Sequence, residues 1–254
     1  MANMFDITGK KAIVTGGTRG LGRGMAEALL ESGCETVIIG SSEGVFKTAE
    51  EYAAKGFACK AVRADLNERS EVYRAFQEAL DALGGTLDIL VVAHGIQRRH
   101  QPEEFPLSDW DDVLSVNLSS VFILDQEAGK VMLKNGGGKI INVASMCSFF
   151  GGQTIPAYSA AKGGVAQLTK ALSNDWVSRG ICVNAVAPGY MATEMNTALL
   201  DPASERGAFI NRRIPIHRWG TPEDMKGVTV FLASHASDYI SGAVIPVDGG
   251  YLVQ

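Results

Sequence analysis

Residues 11–30 read KAIVTGGTRGLGRGMAEALL, with Gly16, Gly20 and Gly22 standing between an apolar run and an amphipathic pattern. An apolar run that breaks at glycine and resumes with helical periodicity predicts a strand, a tight turn and a helix. Glycines at that junction let the backbone turn sharply and approach a ligand closely. The helix that follows offers free N–H groups and the positive end of its dipole to an anion such as a pyrophosphate. The spacing is GxxxGxG, not the GxGxxG of the commoner dinucleotide fold. A turn of this kind can also be a plain tight loop, and its place at the first strand–helix junction is what points to a dinucleotide.

Outward from that junction, short apolar runs alternate with longer helical patterns. Strands are expected near KAIVTG (11–16), TVIIG (36–40), CKAVRAD (59–65), DILVVA (88–93), KIINVAS (139–145), CVNAVAP (182–188) and AVIPVD (243–248). Helical patterns occupy 22–32, 68–83, 111–136, 157–180 and 222–235. This alternation predicts a single α/β domain over 1–254: a doubly wound, Rossmann-type fold with a seven-stranded parallel sheet and helices on both faces. Residues 189–218, with Pro202, Pro215 and mixed charge, are less regular and read as a lid inserted over a site.

Composition narrows the class. A net charge of -5 over 254 residues argues against a nucleic-acid surface, and no apolar stretch approaches a membrane span. The N-terminus has no apolar signal segment, so a cytoplasmic protein is expected. Cys34, Cys59, Cys147 and Cys182 are far apart, and His94, His100, His217 and His235 lack ligand spacing, so neither a disulfide framework nor a metal site is expected.

In PAYSAAKGG, residues 156–164, Tyr158 and Lys162 share a helix face, so phenol and ammonium can converge on one point. Ser145 ends the fifth strand, and ligands of parallel sheets gather at the carboxyl ends of strands. A tyrosine ionises near pH 10, so proton transfer at neutral pH needs help. A nearby ammonium and an oxidised nicotinamide would both favour the phenolate, making Tyr158 a general base for alcohol oxidation and an acid for the reverse. Ser145 would then hold the carbonyl or alkoxide oxygen.

For the cofactor, strand two ends in Gly40, Ser41 and Ser42, without the carboxylate that normally takes the ribose hydroxyls of NAD. Arg19 in the glycine turn can pair with a 2′-phosphate, so NADP is slightly favoured over NAD, although Glu43 could still reach the ribose. Asp65, after strand three, could accept from the adenine amino group or simply cap the next helix.

With these residues together, the chain resembles the classical short-chain dehydrogenases/reductases over essentially its whole length. The TGxxxGxG of that family is Thr15, Gly16, Gly20 and Gly22, and its catalytic Asn, Ser, Tyr and Lys are Asn117, Ser145, Tyr158 and Lys162. The resemblance implies that Asn117 carries a relay water and that Lys162 also binds the nicotinamide ribose. It implies a cofactor groove lined by Gly16, Thr18, Arg19, Gly20, Leu21, Gly22, Ser41, Ser42, Asp65, Leu66, Ala93, Gly95, Tyr158, Lys162, Pro188 and Gly189, with Thr193 meeting the carboxamide. One departure stands out. The NNAG of the family reads Val92, Ala93, His94, Gly95, so an Asn that ties the central sheet is missing, which leaves the hydrogen bonding near the adenosine open and the catalytic group intact.

After strand four, GIQRRHQPEEF carries Arg98 and Arg99, which suit a carboxylate, though a charge run of this kind can also be simply solvated. The stretches GIQRR, KIINVASMCSFFGG, APGYMATEMN and RIPIHRWGTPEDMKGVTVFLAS are similar to sugar-acid dehydrogenases of the gluconate type. That similarity implies an anionic small-molecule substrate, with Arg98, Arg99 and Arg213 as carboxylate candidates and Gln153 and Tyr190 in the pocket. A 3-oxoacyl thioester or a hydroxysteroid would use the same machinery, and a non-catalytic dinucleotide-binding regulator is the reading from another class. The family resemblance also implies a homotetramer packed through residues 112–134 and 157–179, with VDGGYLVQ near a neighbour.

Overall fold

Strands whose two faces are both covered read as continuous apolar runs, and that is how this sheet is built. The computed structural model describes residues 3–201 and 204–254. In chain order the elements are β1 (Lys11–Thr15), α1 (Gly20–Glu31), β2 (Glu35–Gly40), α2 (Gly44–Ala54), β3 (Cys59–Arg63), α3 (Arg69–Ala82), β4 (Ile89–Val92) and α4 (Leu107–Leu114). They continue with α5 (Ser120–Asn135), β5 (Gly138–Val143), α6 (Pro156–Trp176), β6 (Ile181–Pro188), α7 (Thr197–Leu200), α8 (Glu205–Arg213), α9 (Lys226–Ala233) and β7 (Val244–Val247). Among the described residues the strands form one parallel sheet in the order β3-β2-β1-β4-β5-β6-β7.

Side-chain alternation divides the core between the two faces. Ile13, Val37, Ile39, Leu90, Val92 and Ile140 meet Val72 and Phe76 of α3, Leu124 and Met132 of α5 and Val165 of α6. On the other face Val14, Ile38, Val91, Ile141 and Val186 meet Met25 and Leu29 of α1 and Met225 and Leu232 at α9. Each fully buried aliphatic side chain stabilises the fold by about 1.5–3 kcal/mol, so this double layer dominates the folding energetics. At Gly129 an added Cβ would lie 2.6 Å from the Trp176 ring, so α5 and α6 pack at a distance only glycine allows.

Two elements differ from the sequence reading. The helical pattern at 111–136 divides into α4, a π turn over Ser115–Ser119 and α5. An i→i+5 turn shifts the apolar phase by a single residue within an otherwise continuous helical pattern, a change too small to stand out in the sequence. Residues 44–54 add a helix, α2, beside β3. The irregular 189–218 segment contains α7 and α8, while Pro202 lies outside the described residues. Among the described residues, no helix is long and apolar enough to cross a membrane, and no cluster of His, Cys, Asp and Glu could hold a metal ion.

Candidate active site

The strand order reverses between β1 and β4, and the crevice opens at the carboxyl ends of these strands. Register brings Thr15 beside Val92 and Val92 beside Asn142, so the glycine turn, the segment after β4 and the segment after β5 leave the sheet side by side. Gly16 and Gly20 have φ of +69° and +55°, conformations that L side chains rarely adopt. Gly22 is needed for space, since a Cβ there would lie 2.3 Å from the Gly16 carbonyl oxygen. The N-cap of α1 is Arg19, which makes no side-chain cap hydrogen bond, and the first turn carries no acidic residue. The first N–H groups of α1 therefore face the crevice without a side-chain acceptor.

Around this turn, Thr193 sits over the glycines, its Cγ2 3.7 Å from where a Cβ on Gly20 would lie. Beside it, Arg19 pairs with Glu194 at 2.7 Å. Gly189 lies so close to Asp248 that a Cβ would come within 2.7 Å of its Cα. At the end of β2, Thr18 approaches Gly40, and Glu43 is engaged by Arg63, the last residue of β3. The Asp65 Oδ1 accepts from Asn67 N–H at 3.0 Å, so one of its oxygens caps the turn into α3.

Ser145 begins the turn after β5, its Oγ accepting from Cys147 N–H at 3.1 Å. Ser148 Oγ donates to the Lys162 carbonyl at 2.7 Å, fixing this turn to α6. Pro156 opens α6 at a position where its missing N–H costs nothing, which places Tyr158 in the first turn and Lys162 one turn later. Tyr158 packs with Val113, Ala157 and Ala161, with Ser145 as its polar neighbour. Burial pushes the phenol up to about 12, with the Ser145 hydroxyl opposing. Lys162 is 3% exposed and pushed down to about 8, again by burial.

In the chain by itself burial dominates the phenol, and the second charge expected to lower it belongs to the bound nicotinamide. The ammonium donates to the Val143 carbonyl at 2.6 Å and lies 5.8 Å from the phenol ring centre. Asn117 lies in the π turn, fully buried. Its Oδ1 accepts from Ile96 N–H and its Nδ2 donates to the Ile96 carbonyl, both at 2.8 Å. A Cβ on Gly95 would lie 3.1 Å from Asn117 Oδ1 and 4.0 Å from Lys162 Nζ, so these three residues meet.

The hydrogen bonding left open at Val92, Ala93, His94 and Gly95 is supplied by an imidazole. His94 spans the gap, with its ring nitrogens 2.7 Å from Thr15 Oγ1 and 2.7 Å from Ser120 Oγ. An alignment with NNAG directs attention to the missing Asn, and the imidazole beside it is the signal that could have found the replacement.

The basic residues divide. Arg98 faces α4, 3.6 Å from Asp109 and 4.0 Å from Asp112, and His100 binds Asp109 at 2.6 Å. Arg99 points the other way, where burial and the charge of Arg206 lower its pKa while Tyr190 and Cys147 oppose them. Its loop is tied to the 152–154 turn by His100 N–H donating to the Thr154 carbonyl at 3.1 Å, and Gln153 is exposed on that turn. Arg213 donates to Tyr251 Oη at 2.9 Å with its guanidinium 4.3 Å from the ring centre, so it braces the C-terminus. Tyr251 is buried and packs on Tyr190, the ring centroids 5.2 Å apart. Tyr251 of the C-terminal stretch is thus held by residues of its own chain. Arg206 was missed in the sequence, although Arg206, Ile210 and Arg213 share one face of α8 at i, i+4 and i+7.

Comparison with known proteins agrees with this geometry. A family profile described as enoyl-(acyl carrier protein) reductase matches residues 16–252. The 2-dehydro-3-deoxy-D-gluconate 5-dehydrogenases of Dickeya dadantii and Escherichia coli are 45% and 46% identical, with 99% and 98% of both chains covered, respectively. A crystal structure of a gluconate 5-dehydrogenase from Burkholderia cenocepacia, in complex with NADP and tartrate, superposes with a TM-score of 0.94 at 38% identity, covering 99% of this chain and 98% of that one. On this full-length likeness, and with the glycine turn and the Ser–Tyr–Lys group in one crevice, the chain belongs to the short-chain dehydrogenase/reductase family.

Proposed function

We propose that the protein is an NADP(H)-linked oxidoreductase that interconverts a secondary alcohol and a ketone on a sugar acid of the gluconate or keto-gluconate type. The observation that carries this reading is the meeting of Ser145, Tyr158 and Lys162 beside the glycine turn, with Arg99 and Arg206 on the pocket side. The names of the relatives, dehydrogenases of gluconate-type acids, support the substrate class.

The residues fit a nicotinamide dinucleotide. The uncapped N-terminus of α1 and the space kept open by Gly16 and Gly22 suit a pyrophosphate. Ser41 and Ser42 suit a ribose 2′-phosphate, since Glu43 is neutralised by Arg63, and Arg19 is available to it by exchanging its exposed pair with Glu194 for the phosphate. When bound, the dinucleotide supplies or accepts the hydride. For ketone reduction, Ser145 donates a hydrogen bond to the carbonyl oxygen. Burial keeps Tyr158 as the neutral phenol, the form that delivers its proton to that oxygen as it becomes the alcohol. Lys162, near its own titration point at about 8, returns a proton to the phenolate. Alcohol oxidation reverses each proton movement. Asn117 holds the Ile96 loop beside the ammonium.

Arg99 and Arg206, for which no ion pair is found among the described residues, supply the positive field for a carboxylate, with residues 189–218 as the lid that brings Arg206 in. That field disfavours an apolar steroid. An acyl thioester remains in the test because of the wording of the family profile. We further propose a cytoplasmic homotetramer, for which the apolar Phe122 and Tyr73, 42% and 45% exposed on α5 and α3, are candidate contact residues. The decisive experiment follows nicotinamide absorbance over a panel of keto-sugar acids, 3-oxoacyl thioesters and ketosteroids with NADH and NADPH in parallel. Turnover confined to keto-sugar acids is expected. Absence of turnover on every member would leave a dinucleotide-binding regulator.

A further inference from the structure

His94 closes a hydrogen-bond circuit between the end of β1 and the π turn. Its Nδ1 lies 2.7 Å from Thr15 Oγ1, and its Nε2 lies 3.0 Å from the Val116 carbonyl oxygen and 2.7 Å from Ser120 Oγ. A carbonyl can only accept, so the proton belongs on Nε2. Nδ1 is then the acceptor for the Thr15 hydroxyl, which itself accepts from Ala93 N–H at 3.1 Å. Ser120 Oγ donates to the Val116 carbonyl at 2.6 Å and offers a lone pair to Nε2. One tautomer satisfies every group, and no other does.

The circuit has a mechanical consequence. Val116 and Asn117 are adjacent in the π turn, and His94 and Gly95 are adjacent after β4. The next residue, Ile96, is clamped by both ends of the Asn117 amide. Two successive side-chain bridges thus join the same two segments, and Gly95 between them faces Lys162. We propose that His94 is a positioning residue, a neutral imidazole locked as the Nε2–H tautomer, which sets the π turn and Asn117 against β1 and thereby the surroundings of Lys162. Desolvation, with the Lys162 charge next, pushes the pKa of His94 down to about 3, consistent with a neutral ring. The inference rests on the reading of Tyr158 and Lys162 as the proton-transfer pair, and not on which acid is reduced.

Nitrogen-15 NMR of the histidine side chains in the intact protein, with and without NADPH, tests the tautomer directly. A protonated Nε2 and a bare Nδ1 at neutral pH are expected. A proton on Nδ1, or an imidazolium, would overturn the proposal. In parallel, His94→Leu is expected to lower kcat about 10- to 100-fold, the scale of a misplacement of about 1 Å, with KM changed less than about threefold. It is also expected to displace the Asn117 side-chain amide resonances. His94→Gln retains a donor for the Val116 carbonyl, so it should recover part of kcat and return those resonances. The double exchange Ala93→Asn/His94→Ala, which restores the asparagine of the family, should do the same. If His94→Leu only lowers Tm while kcat and the Asn117 resonances stay put, the ring is packing and no more. Should His94→Leu fail to fold, His94→Gln and the wild-type spectrum still decide. The spectra need no substrate, so failure of the sugar-acid assignment is separable from failure of this one.

Discussion

The Lys162 ammonium lies 5.8 Å from the centre of the Tyr158 ring and donates a 2.6 Å hydrogen bond to the Val143 carbonyl. This anchors the lysine to the strand that ends in the Ser145 turn, so phenol, hydroxyl and ammonium keep one arrangement. In the chain by itself burial pushes the phenol up to about 12.

Removal of the phenolic oxygen should therefore stop proton delivery and leave the dinucleotide groove intact. Tyr158→Phe is expected to lower kcat by about 10³-fold, within the range of general acid–base catalysis. NADPH binding, followed by fluorescence titration, is expected to stay within about threefold of wild type, a change of well under 1 kcal/mol. Activity within tenfold of wild type would displace Tyr158 from its assigned role.

The pocket arginines are separable by their partners. Arg99→Ala and Arg206→Ala are each expected to raise KM for a keto-sugar acid about 10- to 100-fold, the value of a charge-assisted hydrogen bond, and to leave a neutral polyol unaffected. Arg98→Ala, which removes ion pairs to Asp109 and Asp112, should leave both KM values alone and reduce stability slightly. An equal response to all three replacements would dissolve the distinction.

A carboxylate at the end of β2 would face a 2′-phosphate. Ser41→Asp is expected to weaken NADPH binding at least about tenfold, since like charges near a surface repel by about 1–4 kcal/mol, with NADH binding maintained. Calorimetric titration with both nucleotides measures the ratio, and an unchanged ratio would place Ser41 away from the ribose.

A buried acid imposes a pH dependence on stability. Asp125 Oδ2 accepts from Asn142 Nδ2 at 2.9 Å, while Asp125 Oδ1 and Asn142 Oδ1, both buried, lack partners. A proton on Asp125 allows it to donate to Asn142, and burial pushes this carboxyl up to about 7. The folded chain then holds a proton that the unfolded chain has released between about pH 4 and pH 7, so stability falls as pH rises through that window and is level above it. Asp125→Asn supplies a permanent donor. Its Tm is expected to be flat over the same window and above that of wild type at about pH 8, by an amount corresponding to roughly 1–3 kcal/mol. A slope as steep as that of the wild type would acquit Asp125.

Much of this architecture could be read before any coordinates. The apolar runs, the glycine junction and the Tyr158–Lys162 spacing are short-range features, because strand and helix periods and the steric demands of glycine act over a few residues. They determined the parallel sheet, its helices and the end of the sheet where ligands would collect. The division between Arg98 and Arg99, the addition of Arg206, the π turn at Asn117 and the bridge made by His94 depended on neighbours from 11 to 107 positions away along the chain. So did the ionisation of Tyr158, where a spacing that suggested help from Lys162 says nothing of the water removed when α4 and α6 close around the ring. Desolvation and through-space pairing exist only once the chain is packed, and those were left for the folded molecule to settle.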